Sequence, residues 1–309
     1  MVNLETPLGG KPYSGYPCFS APDSYADALT DAGFDLMLTA NNHTLDRRDR
    51  GLLRTLDYLD SRNVSHLGTY RNKAERDSVL PMIKEVEGFK IAFLNYTYGT
   101  NGITLRSDAV VDYIDRSIMA SDIDKARAAG AEIVTVCIHW GNEYELLPSK
   151  AQKSMADFLI EHGADMIIGS HPHVIQPMEM RKNSKGRNVL LVYSLGNFIS
   201  NMKTRDTRGG ALVKAVLRRD STGTAVVDSA VYRLVFTLPP TGKDNFRLIP
   251  AERCDIGTWE TNRKNFLSSA EAIFSRHNKG VACDTTAIPE KKLTPVEIFL
   301  LKTFGPLQK

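Results

Sequence analysis

GADMIIGSHPHV, residues 163–174, decides how the rest of the chain is read. Its first part, DMIIG (165–169), is a continuous apolar run of the kind found in a strand covered on both faces. The run opens onto two histidines, His171 and His173, that flank Pro172. On an extended backbone residues i and i+2 point the same way, so both imidazoles are expected to converge on one point. Two neutral ring nitrogens aimed at one spot suit a metal ion.

Working outward, further runs share this form. FDLMLT (34–39), FKIAFLNY (89–96), EIVTVCI (132–138) and NVLLVYS (188–194) are short, apolar and bounded by polar or glycine residues. Between them lie helical patterns. Residues 51–62 carry Leu52, Leu53, Leu56 and Leu59 on one stripe with Asp49 as the expected N-cap, and residues 149–162 end at Gly163. Strand and helix in turn imply a layered α/β domain. From 210 to 236 the pattern changes to strands without helices, and the tail beyond TLPPTGKDN reads as mainly helical, with a capping box at TPVE (294–297). The expected division is a domain over 1–238 and a helical C-terminal extension over 239–309 packing on it.

In such sheets the chemistry sits beyond the carboxyl ends of the strands, and the polar motifs fall there. ANNHTLD follows FDLMLT, HWGNEYE follows EIVTVCI, SHPHV follows DMIIG, and SLGNF follows NVLLVY. Asn42, His43, His139, Glu143, His171, His173 and Asn197 are thereby expected at one edge. His66, His162 and His277 have no such setting and read as structural histidines. Imidazoles with amide or carboxylate oxygens suit zinc, manganese or iron, one ion or two, and the absence of cysteine from the set speaks against a closed structural zinc site. Asn42 can ligate through its amide oxygen while the neighbouring His43 stays available to protonate a leaving group.

Composition narrows the classes further. With 309 residues, 24% of them charged, and a net charge of +3, the chain can bury a large core and shows no basic field of the kind that nucleic acid requires. Arg47, Arg48 and Arg50 are a local exception. The four cysteines have no metal-binding spacing; Cys137 reads as a small buried hydrophobe, and Cys254 and Cys283 could bridge in an oxidising compartment. MVNLETPLGG has neither a basic lead nor an apolar stretch, and it already reads like the interior of a domain, so a preceding segment is expected to be missing. YSLGNF lacks the nucleophile elbow of a serine hydrolase, and TLPPTGKDN lacks the first glycine of a phosphate loop.

The motifs NLETPL, LTANNHTLDRRDRGLLRTLDYL, HWGNEYELLPSKAQ, GADMIIGSHPHVIQPME and YSLGNFI resemble, in order, those of the bacterial capsule synthesis protein family of the CapA or PgsA type, associated with poly-gamma-glutamate production. That family is in turn similar to calcineurin-like metallophosphoesterases. The resemblance implies a layered sandwich of mixed β-sheets flanked by helices, with the first strand and its Gly-Asp absent here. It implies Asn42, His139, His171 and His173 as metal ligands, His43 as the acid, and Glu5 in the place of a bridging aspartate. Asn41, Arg47, Arg48, Glu143 and Asn197 are the residues expected to meet an anionic polymer or phosphoester substrate. Two functions follow from it: metal-dependent hydrolysis of a phosphoester or an envelope-polymer bond, or a non-catalytic polymer-binding role beside a capsule synthase membrane complex. Either places the protein at the cell envelope or its outer face.

Overall fold

Seven consecutive residues, Ile133–His139, are buried along their whole length, as a strand covered on both faces must be. The alternation of such runs with amphipathic helices gives a mixed α/β architecture of several sheets flanked by helices, as the sequence implies. The computed structural model describes residues 1–242 and 245–286. The chain divides into two compact units, the first spanning Met1–His139 and the second beginning at Trp140.

In the first unit, β1 (Val2–Asn3), β2 (Leu36–Leu38) and β3 (Ser65–Leu67) form a parallel sheet, with α1 (Ser24–Asp31) and α2 (Arg48–Ser61) as the connecting helices. β4 (Thr69–Tyr70) and α3 (Lys73–Val79) lead to β5 (Met82–Val86) and β6 (Phe89–Thr97). β7 (Val110–Val111) pairs antiparallel with β4, and α4 (Arg116–Ala128) then leads to β8 (Ile133–His139). β6 lies between β5, antiparallel, and β8, parallel, and its register ends with Thr97 opposite His139.

α2 begins three residues earlier than its leucine stripe suggests, at Arg48. Asp49 is therefore inside the first turn rather than at the cap, and the cap position falls to Arg47, whose side chain makes no capping hydrogen bond. Leu52 and Leu56 bury the helix against Ala40, Leu45, Ala109 and Val111, and Ile103 and Leu105 pack on the same cluster.

The second unit holds α5 (Lys150–Glu161), β9 (Met166–Ser170), β10 (Met178–Lys182) and β11 (Asn188–Val192), with β11 parallel to β9 and antiparallel to β10. Ser149 and Gln152 close a capping box at the start of α5, and Gly163 follows its end at φ +99°, a conformation that glycine adopts without cost. β12 (Gly209–Arg219) and β13 (Ala225–Leu238) form the long antiparallel pair expected of the helix-free stretch. β14 (Arg247–Pro250) and β15 (Val281–Cys283) add to β13, and α6 (Glu260–His277) lies between them in sequence. The capping box at 294–297 lies outside the described residues. All four cysteines are free thiols, so the Cys254–Cys283 bridge is not formed, and Cys137 is buried as expected.

Candidate functional site

Three strands of the first unit deliver polar groups just past their carboxyl ends. β1 runs into Glu5, β2 into the Asn41–Asn42–His43 turn, and β8 ends on His139 itself. His139 Nε2 lies 2.9 Å from Asn42 Oδ1 and 3.6 Å from Glu5 Oε1. Ligand atoms about 2.0–2.2 Å from a shared ion stand roughly 3.0–3.5 Å apart at octahedral or tetrahedral angles, so one ion could reach all three atoms after a small adjustment. The donors also suit one: an imidazole nitrogen, an amide oxygen and a carboxylate oxygen fit zinc, manganese or iron.

Each donor is oriented by a second residue. Asn42 Nδ2 donates to Asn101 Oδ1 at 3.4 Å, which turns the amide oxygen toward His139. Asn3 Nδ2 donates to Glu5 Oε2 at 2.9 Å and lies 3.5 Å from His139 Nδ1. Tyr98 stacks on the His139 ring, with 6.2 Å between centroids and 7° between planes. Burial and the neighbouring Glu5 charge push the Tyr25 phenol up to about 12. Below the turn, Asn95 Oδ1 on β6 accepts from the Ala40 N–H, and at Gly68 (φ +107°) a Cβ would stand 2.3 Å from that oxygen. Glycine is required there by space and by conformation.

His43 is fixed with equal care. Its Nδ1 lies 2.7 Å from Asp46 Oδ2, and both side chains are buried. The same carboxylate oxygen accepts from the Phe19 N–H at 2.7 Å, and the Phe19 ring meets the imidazole edge-on at 4.6 Å. With Nδ1 committed to Asp46, proton transfer falls to Nε2.

In the second unit the His-x-His pair is not extended, and the i, i+2 argument does not describe it. His171 has φ +102° and His173 φ +59°, both outside the strand that ends at Ser170. The two rings still lie near one another, 6.0 Å between centroids, through tight turns rather than through alternation along a strand. Backbone held in this region by a non-glycine residue costs energy and clusters at functional sites. Gly169, just before the pair, has no room for a side chain: a Cβ would lie 2.1 Å from the Tyr193 carbonyl oxygen. His173 Nδ1 lies 3.0 Å from Asn197 Oδ1, while Asn197 Nδ2 donates to the Thr207 carbonyl at 2.9 Å. Because that amide must present its oxygen, His173 carries its proton on Nδ1 and keeps the Nε2 lone pair for a ligand.

The residues expected to touch substrate fall into different settings. Asn41 is fully buried, and both ends of its amide are engaged, with Nδ2 donating to the Leu4 carbonyl at 2.9 Å and Oδ1 accepting from His43 N at 3.1 Å. It braces the turn that carries Asn42 and His43. The Arg47 stem is wedged between Gly9 and Gly51, whose Cβ positions would lie 2.5 and 2.2 Å from it. Arg48 is exposed on the first turn of α2, and Glu143 is exposed in the loop after β8. Asn197 serves His173 through its amide oxygen. Asp46, Asn3, Asn101 and Tyr98 were not singled out from sequence; the one available signal was Asp46, three residues past His43 in NHTLD.

Fold and site together define a mixed α/β protein with a candidate divalent-metal centre at strand ends. The family model described as "Bacterial capsule synthesis protein PGA_cap" matches residues 1–202, and the chain belongs to that family. It is similar to "Capsule biosynthesis protein CapA" of Bacillus anthracis, 29% identical over 68% of this chain and 50% of that protein. It is also similar to "PGA biosynthesis protein CapA" of Bacillus subtilis (strain 168), 32% identical over 63% of this chain and 50% of that protein. The chain thus spans about half the length of these relatives. Among solved structures, the NAD nucleotidase NadN of Haemophilus influenzae aligns over 85% of this chain and 44% of its own, at 14% identity and a TM-score of 0.47.

Proposed function

We propose that this member of the capsule synthesis family is a metal-dependent hydrolase acting on a phosphoester or an envelope-polymer bond. The observation that carries the proposal is the convergence of Asn42 Oδ1, Glu5 Oε1 and His139 Nε2 within the first unit. Asn42, Glu5 and His139 are the proposed metal ligands of the first unit and His171 and His173 those of the second, for manganese, zinc or iron, one or two ions per chain. When bound, such an ion polarises a phosphoryl or carbonyl oxygen and makes water a stronger acid.

The chain's own residues do the rest. His43 donates a proton from Nε2 to the leaving group, and Asp46 holds the ring on Nδ1 and stabilises its charged form. Arg48 meets the anionic substrate. The order of motifs along the sequence and the capsule and PGA roles named for the two relatives support a substrate of the cell envelope and a place beside a capsule synthase complex. Among the described residues no helix is long and apolar enough to cross a membrane.

The test is turnover of bis(p-nitrophenyl) phosphate by protein loaded with manganese, zinc or iron and by the same protein treated with a chelator. The proposal requires turnover that depends on the ion. Metal uptake without any turnover would favour the non-catalytic, polymer-binding alternative.

A further inference from the structure

The apolar run of β6, IAFLNY, carries one amide near its end, Asn95. The side chain is almost fully buried, and a buried amide in such a run costs stability unless both of its ends are bonded. Both are. Oδ1 accepts from the Ala40 N–H at 2.9 Å, and Nδ2 donates to the Cys137 carbonyl at 3.3 Å.

The two anchors fall at matching places. Ala40 stands two residues before Asn42, and Cys137 stands two residues before His139. Asn95 is also the register partner of Cys137, as Thr97 is of His139, so its side chain leaves the strand on the same face as the imidazole. One amide thus clamps the turn after β2 to the end of β8, just behind the point where Asn42 Oδ1 and His139 Nε2 stand 2.9 Å apart. Other bonds of the turn run elsewhere. Thr39 N–H donates to the Leu67 carbonyl and Asn41 Nδ2 to the Leu4 carbonyl, each at 2.9 Å, and neither bond reaches β8.

Gly68 belongs to the same arrangement. A Cβ there would stand 2.3 Å from Asn95 Oδ1 and 2.8 Å from Ala40 N, so a side chain would fall on the hydrogen bond itself. The residue type at 95 is equally constrained. An amide accepts from one backbone N–H and donates to one backbone carbonyl at once, whereas a carboxylate would set an oxygen against the Cys137 carbonyl and leucine would serve neither group.

We propose that Asn95 is a positioning residue for the metal centre of the first unit: it sets the gap between Asn42 and His139 and thereby the affinity for the ion. Ligands already held at their working distance bind without the cost of ordering them. The proposal rests on the metal-centre reading above.

The experiment is a calorimetric titration with manganese of the wild type, Asn95→Leu, Asn95→Ala and Leu94→Ala, with the melting temperature of each metal-free protein. Asn95→Leu keeps the volume and removes both bonds. Asn95→Ala leaves room for a water that can bond the same two backbone groups without tying them rigidly. Leu94 is buried and points to the opposite face of β6, so Leu94→Ala opens a cavity and lowers the melting temperature without touching either anchor. Both Asn95 variants should bind manganese about 10- to 100-fold more weakly, the effect of removing support behind a ligand. Leu94→Ala should melt lower and bind manganese as the wild type does. Unchanged affinity in a folded Asn95 variant overturns the proposal, as does an affinity that falls in Leu94→Ala as far as in the Asn95 variants. Failure of both Asn95 variants to fold also overturns it, since Asn95 would then serve the fold alone. Absence of manganese uptake by the wild type overturns the metal centre itself, and the positioning role with it.

Discussion

His139 Nε2 and Asn42 Oδ1 stand 2.9 Å apart although 97 residues separate them in the chain. Both groups are buried, and Asn101 turns the Asn42 amide so that its oxygen faces the ring. The contact is a hydrogen bond in which Nε2 donates. To take a cation, the same nitrogen must give up that proton, so metal binding and proton release are coupled and affinity for the ion rises with pH.

His43 is separate from that set and has its own support in Asp46. His43→Ala is expected to keep most of the bound metal and to lose roughly a hundredfold or more in kcat, the range of a general acid. Metal content and kcat measured on the same preparation check this. Loss of metal equal to that of a ligand variant would remove His43 from the acid role.

Asp46→Asn keeps an oxygen to accept from Phe19 N–H but no longer stabilises the charged imidazole. The expected outcome is a fall in kcat of at least about tenfold, with the melting temperature little changed. Circular dichroism and metal content matching the wild type while kcat falls distinguish this from simple misfolding. An unchanged kcat would show that Asp46 is only a structural partner.

Asn197 fixes the His173 tautomer. Asn197→Ala should weaken metal affinity by about 10- to 100-fold, the effect typical of removing a partner behind a ligand. Calorimetric titration with manganese reads it directly. Unaltered affinity would take His173 out of the ligand set.

Much of this was legible in the sequence, for a physical reason. A buried strand must be apolar throughout, so residues 132–138 and 165–169 announce themselves as strands, and the polar residues that follow each are the candidates for chemistry. Local backbone geometry was less legible. The positive φ of His171 and His173 overturns the extended-pair argument, because the strand stops at Ser170 and tight turns, which leave no periodic signature, bring the rings together. The start of α2 is hidden from the sequence because Asp49 is a good cap by type, whereas its carboxylate is drawn to the amides of Arg106 and Ser107, 57 and 58 residues away. Long-range partners of this kind, like Asn3 for Glu5 and His139, have no local pattern to reveal them.

Away from the site, Arg76 on α3 hydrogen-bonds both Asp112 and Asp122, and the Tyr96 hydroxyl donates to Asp122. Burial pushes the Asp112 carboxyl up to about 6, against the pull of Arg76. An acid whose folded value lies above its unfolded value of about 3.9 binds its proton more tightly in the folded state. Its contribution to stability is therefore full below about pH 4 and is lost as pH rises through about 6. Relative to Asp112→Asn, the wild type should lose on the order of 2 kcal/mol of unfolding free energy over that window. Denaturant titrations of both proteins from pH 4 to pH 7 check the sign; a difference independent of pH would contradict it.

Metal content is the most direct measurement of the central claim. Wild-type protein and His139→Ala, each equilibrated with manganese, zinc or iron and freed of excess ion, are analysed for bound metal by mass spectrometry. The wild type is expected to retain one or two ions per chain, more tightly as pH rises, and His139→Ala to lose them along with ion-dependent turnover. A wild-type protein that retains no ion under any of these conditions, or a His139→Ala variant that holds as much as the wild type, would contradict the assignment of Asn42, Glu5 and His139 as a metal centre.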